Sequence, residues 1–174
     1  MEFVKTMNSR KSVRSYTGEP LTKEQIDALL KAAYAAPVGG GKYDQTHLTV
    51  ITDKALIDEI DKNGANFFGD PSMHPLHNAP ILIIVSASPE IGADVASANT
   101  GAIVENMSLA ATDMGIGSLF IWGAMAGLRA NKELLSKISI PEGYVVYGSM
   151  IAGKTEEKIE ERAIPADKIA VSYQ

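Results

Sequence analysis

The run ILIIVSA, from Ile81 to Ala87, constrains the fold of this chain more than any other stretch. It is almost entirely apolar and lacks the alternation of a strand with one face in water, which is typical of a strand covered on both faces. We therefore expect a central strand whose sheet has helices on both sides. The run is far shorter than the roughly 20 residues that a membrane-spanning helix needs, so no span is predicted.

Helical and strand patterns alternate along the rest of the chain. Thr22 and Gln25 fit a capping box, and the apolar spacing that follows predicts an amphipathic helix from Lys23 to Ala35. If residues 1–9 are helical, three apolar side chains, Phe3, Val4 and Met7, are expected to face inward. The remaining patterns predict strands over 47–52, 118–122 and 144–153 and helices from an Asp53 cap to Gly64, from Asp94 to Met114 before a Gly115 cap, and over 131–138.

Composition excludes several classes of protein. The 174 residues include no cysteine, which rules out disulfides, thiolate metal sites and a cysteine nucleophile. The net charge of -5 argues against a protein that coats nucleic acid, because such proteins concentrate excess Lys and Arg on one face. No linker divides the chain, so residues 1–174 are expected to form a single domain. The N-terminus lacks the pattern of a signal peptide, and we expect a cytoplasmic protein.

A local basic cluster stands out against this acidic background. The segment NSRKSVRSYT, residues 8–17, contains Arg10, Lys11, Ser12 and Arg14. Arginine matches the geometry of phosphate oxygens, lysine adds a point charge and serine donates without charge, so this set suits a phosphoester. A solvated turn beyond a helix end explains the cluster equally well, since cations also complement the negative end of a helix dipole. Both interpretations stay open at this point.

Other candidate motifs do not meet the requirements of their chemistry. The glycines of PVGGGKYD, residues 37–44, follow a predicted helix rather than a strand, so they do not form a P-loop. His74 and His77 with Asp70 could be metal ligands, but two prolines and the lack of a third histidine favour a surface loop. No GxSxG elbow indicates a serine nucleophile. Trp122 ends a predicted strand before a glycine, where α/β proteins often expose backbone to ligands.

Taken in order, these segments resemble the nitroreductase family of FMN-dependent oxidoreductases. The resemblance rests on SRKSVRSYTGEP near the N-terminus, Ala36 and Pro37 at a helix end, LAATDMGIGS in the helix-to-strand passage and IPEGY before the last strand, and it covers nearly the whole chain. It implies an α+β fold, a three-layer α/β/α arrangement with a mixed central sheet flanked by helices. It also implies a homodimer with FMN at the interface and a tail, residues 154–174, that packs on the partner subunit.

The resemblance implies FMN contacts from several parts of the chain. Arg10 and Ser12 would hold the phosphate and ribityl chain, and Arg14 would approach the pyrimidine edge of the ring. The other implied contacts are Lys11, the loop residues Pro37, Val38 and Gly39, the strand-end residues Ile121, Trp122 and Gly123, the ring neighbour Asn66, and Arg162 near the phosphate, with Lys154 and Lys158 as weaker candidates. No catalytic side chain is implied, because the flavin does the chemistry.

The implied activity is that of an FMN-dependent NAD(P)H oxidoreductase that reduces nitroaromatic or quinone-like acceptors by a ping-pong cycle. The loop VGGGKYDQTH, residues 38–47, lacks the Asn and the Gln-Pro-Trp that many members have there. This difference keeps open a flavin carrier or sensor without NAD(P)H turnover. An interaction protein with a merely solvated basic turn is a third possibility. The expected partners are NAD(P)H, a small acceptor and a second copy of the chain, with neither nucleic acid nor membrane.

Overall fold

A four-stranded sheet forms the middle layer of the computed structural model, which describes residues 2–174. Its strands are β1 (Thr46–Ile51), β2 (Ile81–Ala87), β3 (Gly117–Ile121) and β4 (Val145–Gly153). Their order is β1-β2-β4-β3, and every neighbouring pair is antiparallel. All seven residues of β2 are buried. The prediction of a central strand is therefore confirmed.

The N-terminal segment extends the sheet at the far edge. Ser12 and Ser118 form an isolated parallel bridge, and the amide of Val13 donates to the carbonyl of Ser118 at 3.0 Å. The sheet thus contains pairings of both directions. This contact places the basic cluster beside β3.

Six helices cover the sheet on its two faces. They are α1 (Phe3–Ser9), α2 (Lys23–Tyr34), α3 (Lys54–Phe67), α4 (Ala93–Asp113), α5 (Gly123–Ala130) and α6 (Lys132–Ser136). Successive residues of β2 point to opposite faces: Leu82 and Ile84 join the core under α3 and α5, whereas Ile81 and Ile83 join the core under α2 and α4. This explains why the strand shows no alternation. The result is a three-layer α+β fold, as predicted.

Two helix ends follow from local sequence. The Thr22 side chain accepts the amide of Gln25 while the Gln25 side chain accepts the amide of Thr22, so the predicted capping box begins α2. After α4, Gly115 has a φ of +70°, and the amides of Gly115 and Ile116 donate to the carbonyls of Thr112 and Ala111. This is a Schellman motif, which favours glycine at its left-handed position.

Other predicted boundaries were wrong. We expected Gly64 to end a helix, but α3 continues to Phe67 and Gly64 is buried. A Cβ at Gly64 would lie 2.9 Å from the Cβ of Ala124, so the glycine allows α3 and α5 to approach closely. The patterns also missed α5, which has only eight residues, two of them glycines with low helix propensity.

Helix α1 forms, but its apolar residues do not face inward. Phe3, Val4 and Met7 are exposed, whereas Thr6 and Ser9 are buried. The expected orientation is therefore wrong within this chain. The exposed side chains form an apolar face at the N-terminus.

The first part of the tail lies along the N-terminal segment of the same chain. The amide of Thr17 donates to the carbonyl of Lys154 at 3.0 Å, and the Thr155 hydroxyl donates to the carbonyl of Ser15 at 2.6 Å. We call this arrangement, residues 8–19 against residues 154–162, the terminal contact. Residues 163–174 are exposed and form neither helix nor strand. Packing of the tail on a partner subunit stays a prediction. Within residues 2–174, each helix is too short or too polar to cross a bilayer.

Candidate functional site

The terminal contact gathers cations that are far apart in sequence. The Arg162 guanidinium donates from Nε to the carbonyl of Asn8 at 3.1 Å and from a terminal nitrogen to the carbonyl of Arg10. The structure therefore brings Arg162 to the segment that carries Arg10 and Lys11, and its role at a phosphate stays a prediction. Ser12 follows directly and is held in place by its bridge to Ser118.

Two carboxylates accompany these cations. Arg10 Nε lies 3.3 Å from Glu105 Oε1, and Lys11 Nζ lies 2.9 Å from Glu157 Oε2. The other oxygen of Glu157 accepts the amide of Arg14 at 2.9 Å. Lys11 and then the Arg14 amide lower the pKa of Glu157 below its ordinary value. An anion that binds here competes with these carboxylates for the same donors.

A cavity of about 510 Å³ adjoins the basic cluster, and we call it the strand-end cavity. Arg14 lines it together with Ile121, Trp122 and Gly123, where β3 ends and α5 begins. A Cβ at Gly123 would lie 2.6 Å from Phe68 Cζ, so the glycine allows that ring to pack against the strand end. The sequence-predicted residues of this group therefore share one cavity.

The segment predicted to be a surface loop rather than a metal site also lines the strand-end cavity. We call residues 70–79 the histidine loop, and both His74 and His77 contribute to the lining. Asp61, whose side chain is only 13% exposed, lies with Oδ2 2.9 Å from His74 Nδ1. Its Oδ1 accepts the amide of Leu76 at 2.7 Å. No periodic signal links Asp61 to this loop, so the sequence could not reveal the pair.

The backbone and surroundings of the histidine loop are unusual. His77 and Asn78 have φ values of +50° and +59°, in the left-handed region that residues other than glycine rarely adopt. Burial and then the nearby charge of Arg14 lower the pKa of His77, so its imidazole is neutral near pH 7. Among residues 2–174 no group of three or more His, Asp or Glu is arranged to hold a metal ion.

The loop from Pro37 to Gly39 lies elsewhere in this chain. The amide of Gly39 donates to Asn99 Oδ1 at 2.9 Å, and a Cβ at Gly39 would lie 2.7 Å from Val95 Cγ1, so the loop packs tightly on α4. Val38 lines a separate cavity of about 360 Å³. Contact of this loop with a flavin of a second subunit stays a prediction.

Asn66 also lies outside the strand-end cavity. It lines a neighbouring cavity of about 550 Å³ beside α3, which Asp61 and His74 line as well. His74 thus borders both cavities, whereas Asn66 borders only the one next to α3. Asn66 as a ring contact stays a prediction.

Comparisons with known proteins agree on one family. The model of the Nitroreductase family matches residues 7–154. The protein named "Putative NADH dehydrogenase/NAD(P)H nitroreductase" of Archaeoglobus fulgidus is 30% identical over 160 residues, covering 90% of this chain and 87% of the relative. The FMN reductase [NAD(P)H] of Bacillus subtilis is 26% identical over 99% of this chain and 73% of its own length.

A solved structure shares the whole fold. The nitroreductase with bound FMN from Bacteroides fragilis has a TM-score of 0.85 and 25% sequence identity, and the match covers 99% of this chain and 100% of that one. The family match spans both the basic cluster and the strand-end cavity. The chain therefore belongs to the nitroreductase family.

Proposed function

We propose that this chain binds FMN and acts as an NAD(P)H oxidoreductase that reduces nitroaromatic or quinone-like acceptors by a ping-pong cycle. The observation on which the proposal rests is the position of Arg14. Its amide and the Lys11 ammonium contact the same carboxylate, Glu157, and Arg14 also lines the strand-end cavity. A phosphate site and a site for a planar ring are thereby adjacent.

The residues present fit FMN in chemistry and in size. The cluster offers two guanidinium groups and one ammonium group, which are the preferred partners of phosphate oxygens. The strand-end cavity has aromatic side chains, Phe68, Phe120 and Trp122, and its volume lies within the range of ordinary small-molecule sites. The named relatives, an FMN reductase and an FMN-bound nitroreductase, support the same cofactor.

Each part of the site has a distinct role in this proposal. Arg10, Lys11 and Arg162 hold the phosphate, and Ser12 adds a hydroxyl donor beside it. Arg14 supplies a fixed positive charge to the cavity, and such a charge stabilises negative charge that develops next to it. Bound FMN supplies hydride transfer, so the chain provides binding, orientation and electrostatics.

When a phosphate binds, Arg10 and Lys11 must leave the carboxylates of Glu105 and Glu157 and donate to the phosphate instead. Both carboxylates are partly exposed, so water solvates them once their cations turn to the phosphate. Surface ion pairs of this kind contribute at most about 1 kcal/mol each, so the exchange costs little free energy. The carboxylates keep the cluster ordered without blocking it.

A homodimer is the second part of the proposal. Several large apolar side chains are exposed in the single chain. They are Phe3, Val4 and Met7 on α1 and Val95 near the start of α4. Burial of such side chains favours association. Light scattering of the eluted protein is expected to give twice the mass of one chain, and a monomer would contradict this part.

Binding of FMN can be measured by quenching of flavin fluorescence. Arg162→Ala and Arg14→Ala are each expected to raise the Kd for FMN by roughly tenfold to a hundredfold, since a hydrogen bond to a charged group contributes about 1.5–3 kcal/mol. Lys132→Ala, which removes an exposed cation on α6, is the matched control and should leave the Kd unchanged. A wild-type protein without affinity for FMN would overturn the proposal, as would equal Kd values for all variants.

A flavin carrier or sensor without NAD(P)H turnover is the competing function. It is favoured by the loop from Pro37 to Gly39, which packs on α4 and does not line the strand-end cavity. Anaerobic addition of NADH or NADPH to the FMN-loaded protein separates the two functions. Bleaching of the visible flavin band supports the oxidoreductase, and an unchanged band supports the carrier.

A further inference from the structure

The pair of Asp61 and His74 has no role in holding a cofactor, yet it borders the strand-end cavity. Asp61 is nearly buried and uses both carboxylate oxygens, one for His74 Nδ1 and one for the amide of Leu76. Leu76 is fully buried, which anchors the loop at that point. The carboxylate that contacts the imidazole is therefore itself fixed by the backbone, while the His74 side chain is 76% exposed.

This geometry fixes the chemical form of the imidazole. Because the carboxylate accepts from Nδ1, the neutral ring carries its proton on Nδ1 and leaves Nε2 free to take or give a second proton. An imidazole oriented by a carboxylate is a common general acid or base.

The proposed reaction needs a proton from some source. Reduction of a quinone to a hydroquinone consumes a hydride and a proton. The hydride comes from NAD(P)H by way of FMN, and the proton comes either from water or from the protein. Of the side chains that line the strand-end cavity, three are basic: Arg14, His74 and His77.

These three groups differ in how they could deliver a proton. Arg14 holds its proton too strongly, because the pKa of arginine exceeds 12. Burial and then Arg14 lower the pKa of His77. Of the two histidines, His74 is the one whose ring nitrogen lies at hydrogen-bond distance from a carboxylate, that of Asp61. His74 lines two cavities together with other charged or titratable groups. These are Lys54, Asp58, Asp61 and Lys62 of α3, His77 of the histidine loop, and Arg14.

We propose that His74 is a catalytic residue that delivers the proton to the acceptor and that Asp61 is its positioning residue. In this step the Nε2–H bond of the protonated imidazole breaks and an O–H bond forms on the quinone oxygen. The neutral imidazole then takes a new proton from water. The inference rests on the proposed function, because it assumes an acceptor that lies beside the flavin ring at the strand-end cavity.

Anaerobic stopped-flow kinetics test this role, with the two half-reactions measured separately. In the FMN-loaded wild type, oxidation by menadione is expected to slow as the pH rises, since a general acid acts only in its protonated form. His74→Gln should be roughly 100-fold slower at low pH and nearly independent of pH. Reduction by NAD(P)H should be unchanged. His47→Gln replaces the remaining histidine, which lies in β1 and does not line the strand-end cavity, and should behave as the wild type.

Nuclear magnetic resonance of the flavin-free protein gives a readout independent of turnover. With ¹⁵N-labelled histidine, His74 should show a protonated Nδ1 in the neutral ring, and Asp61→Asn should lose this tautomer preference. Asp61→Asn should also lower the rate of menadione reduction without changing the Kd for FMN.

The outcomes separate this inference from the proposed function. If the wild type binds FMN and is bleached by NAD(P)H, but His74→Gln keeps the wild-type pH profile, the role of His74 is wrong and the oxidoreductase stands. Equal slowing of both half-reactions would also overturn it, since this would indicate a structural role. A wild type that is not bleached contradicts the oxidoreductase itself, and the role of His74 with it.

Discussion

Strand β2 and the terminal contact are stabilised in opposite ways. Every residue of β2 is buried, and its side chains join apolar cores on both faces of the sheet. The terminal contact is mostly exposed or partly exposed and is joined by hydrogen bonds and ion pairs, such as Lys11 with Glu157 and Thr155 with Ser15. Apolar burial contributes more per residue than exposed polar pairing. The fold therefore depends on the sheet, while the candidate phosphate site depends on the weaker contact.

The weaker stabilisation of the terminal contact favours ligand binding. A site that must exchange its carboxylate partners for a ligand phosphate cannot be locked by strong interactions, because the ligand would have to break them. The terminal contact holds the cations of the cluster near one another at small energetic cost. Four substitutions, ordered from the sheet to the terminal contact, compare the losses in the free energy of unfolding in the two regions.

The largest loss is expected in β2. Ile83→Ala removes a side chain that is fully buried under α2 and α4 and should lower the free energy of unfolding by about 2–5 kcal/mol. Urea denaturation measures this loss. Ile83→Val is the graded control, with an expected loss of about 0.5–1.5 kcal/mol. Equal losses for the two variants would contradict tight packing at this position.

A smaller loss is expected where β4 meets the N-terminal segment. A Cβ at Gly153 would lie 2.5 Å from Pro80 Cδ and 3.1 Å from Tyr16 Cδ1, so Gly153→Ala should cost about 1–3 kcal/mol through overpacking. Gly123→Ala is the control, because its Cβ would meet only Phe68, a partly exposed ring that can rotate away. Thermal unfolding of both variants should show the larger drop for Gly153→Ala.

Tyr16 lies at the boundary between core and terminal contact. Its hydroxyl donates to the carbonyl of Val13 at 3.0 Å, so Tyr16→Phe should cost about 1 kcal/mol. Burial and then the charge of Glu157 raise the pKa of Tyr16. Folding therefore favours the neutral phenol, and this stabilisation is complete below about pH 10 and lost as the pH rises further. Wild type should lose stability more steeply above pH 10 than Tyr16→Phe, and parallel pH curves would contradict burial of the hydroxyl.

The smallest effect is expected within the terminal contact itself. Glu157→Gln should cost less than about 1 kcal/mol, since the pair with Lys11 is solvated. Lys11 and the Arg14 amide lower the pKa of Glu157, so its stabilisation is present above about pH 4.3 and disappears as the pH falls through the lowered value. The melting temperatures of wild type and Glu157→Gln should converge as the pH falls through the lowered pKa of Glu157. Glu156→Gln, at the exposed neighbour, is the matched control.

The same contrast explains what could be predicted from the sequence. The apolar run of β2 and the capping box of α2 are local patterns, and the structure confirms both. Helix α5 was missed because it has only eight residues, two of them glycines with low helix propensity. Arg162 was assigned through the family resemblance, and its contact with Arg10 arises only from the folded path of the tail.

The pair of Asp61 and His74 marks the limit of sequence reasoning most clearly. The two residues belong to a helix and to an irregular loop, and nothing in their spacing indicates contact. Only the packing of α3 against the histidine loop brings them together. Polar pairs between elements depend on the tertiary fold, whereas apolar periodicity is present in the sequence itself.

The sheet order β1-β2-β4-β3 also affects how the chain is made. Strand β2 pairs with β4 on one side, but β4 is the last strand to leave the ribosome. Until then, one edge of the most apolar strand has no partner in its own chain, and such edges promote association with other chains. Synthesis rate and chaperone supply are therefore expected to affect the yield of folded protein.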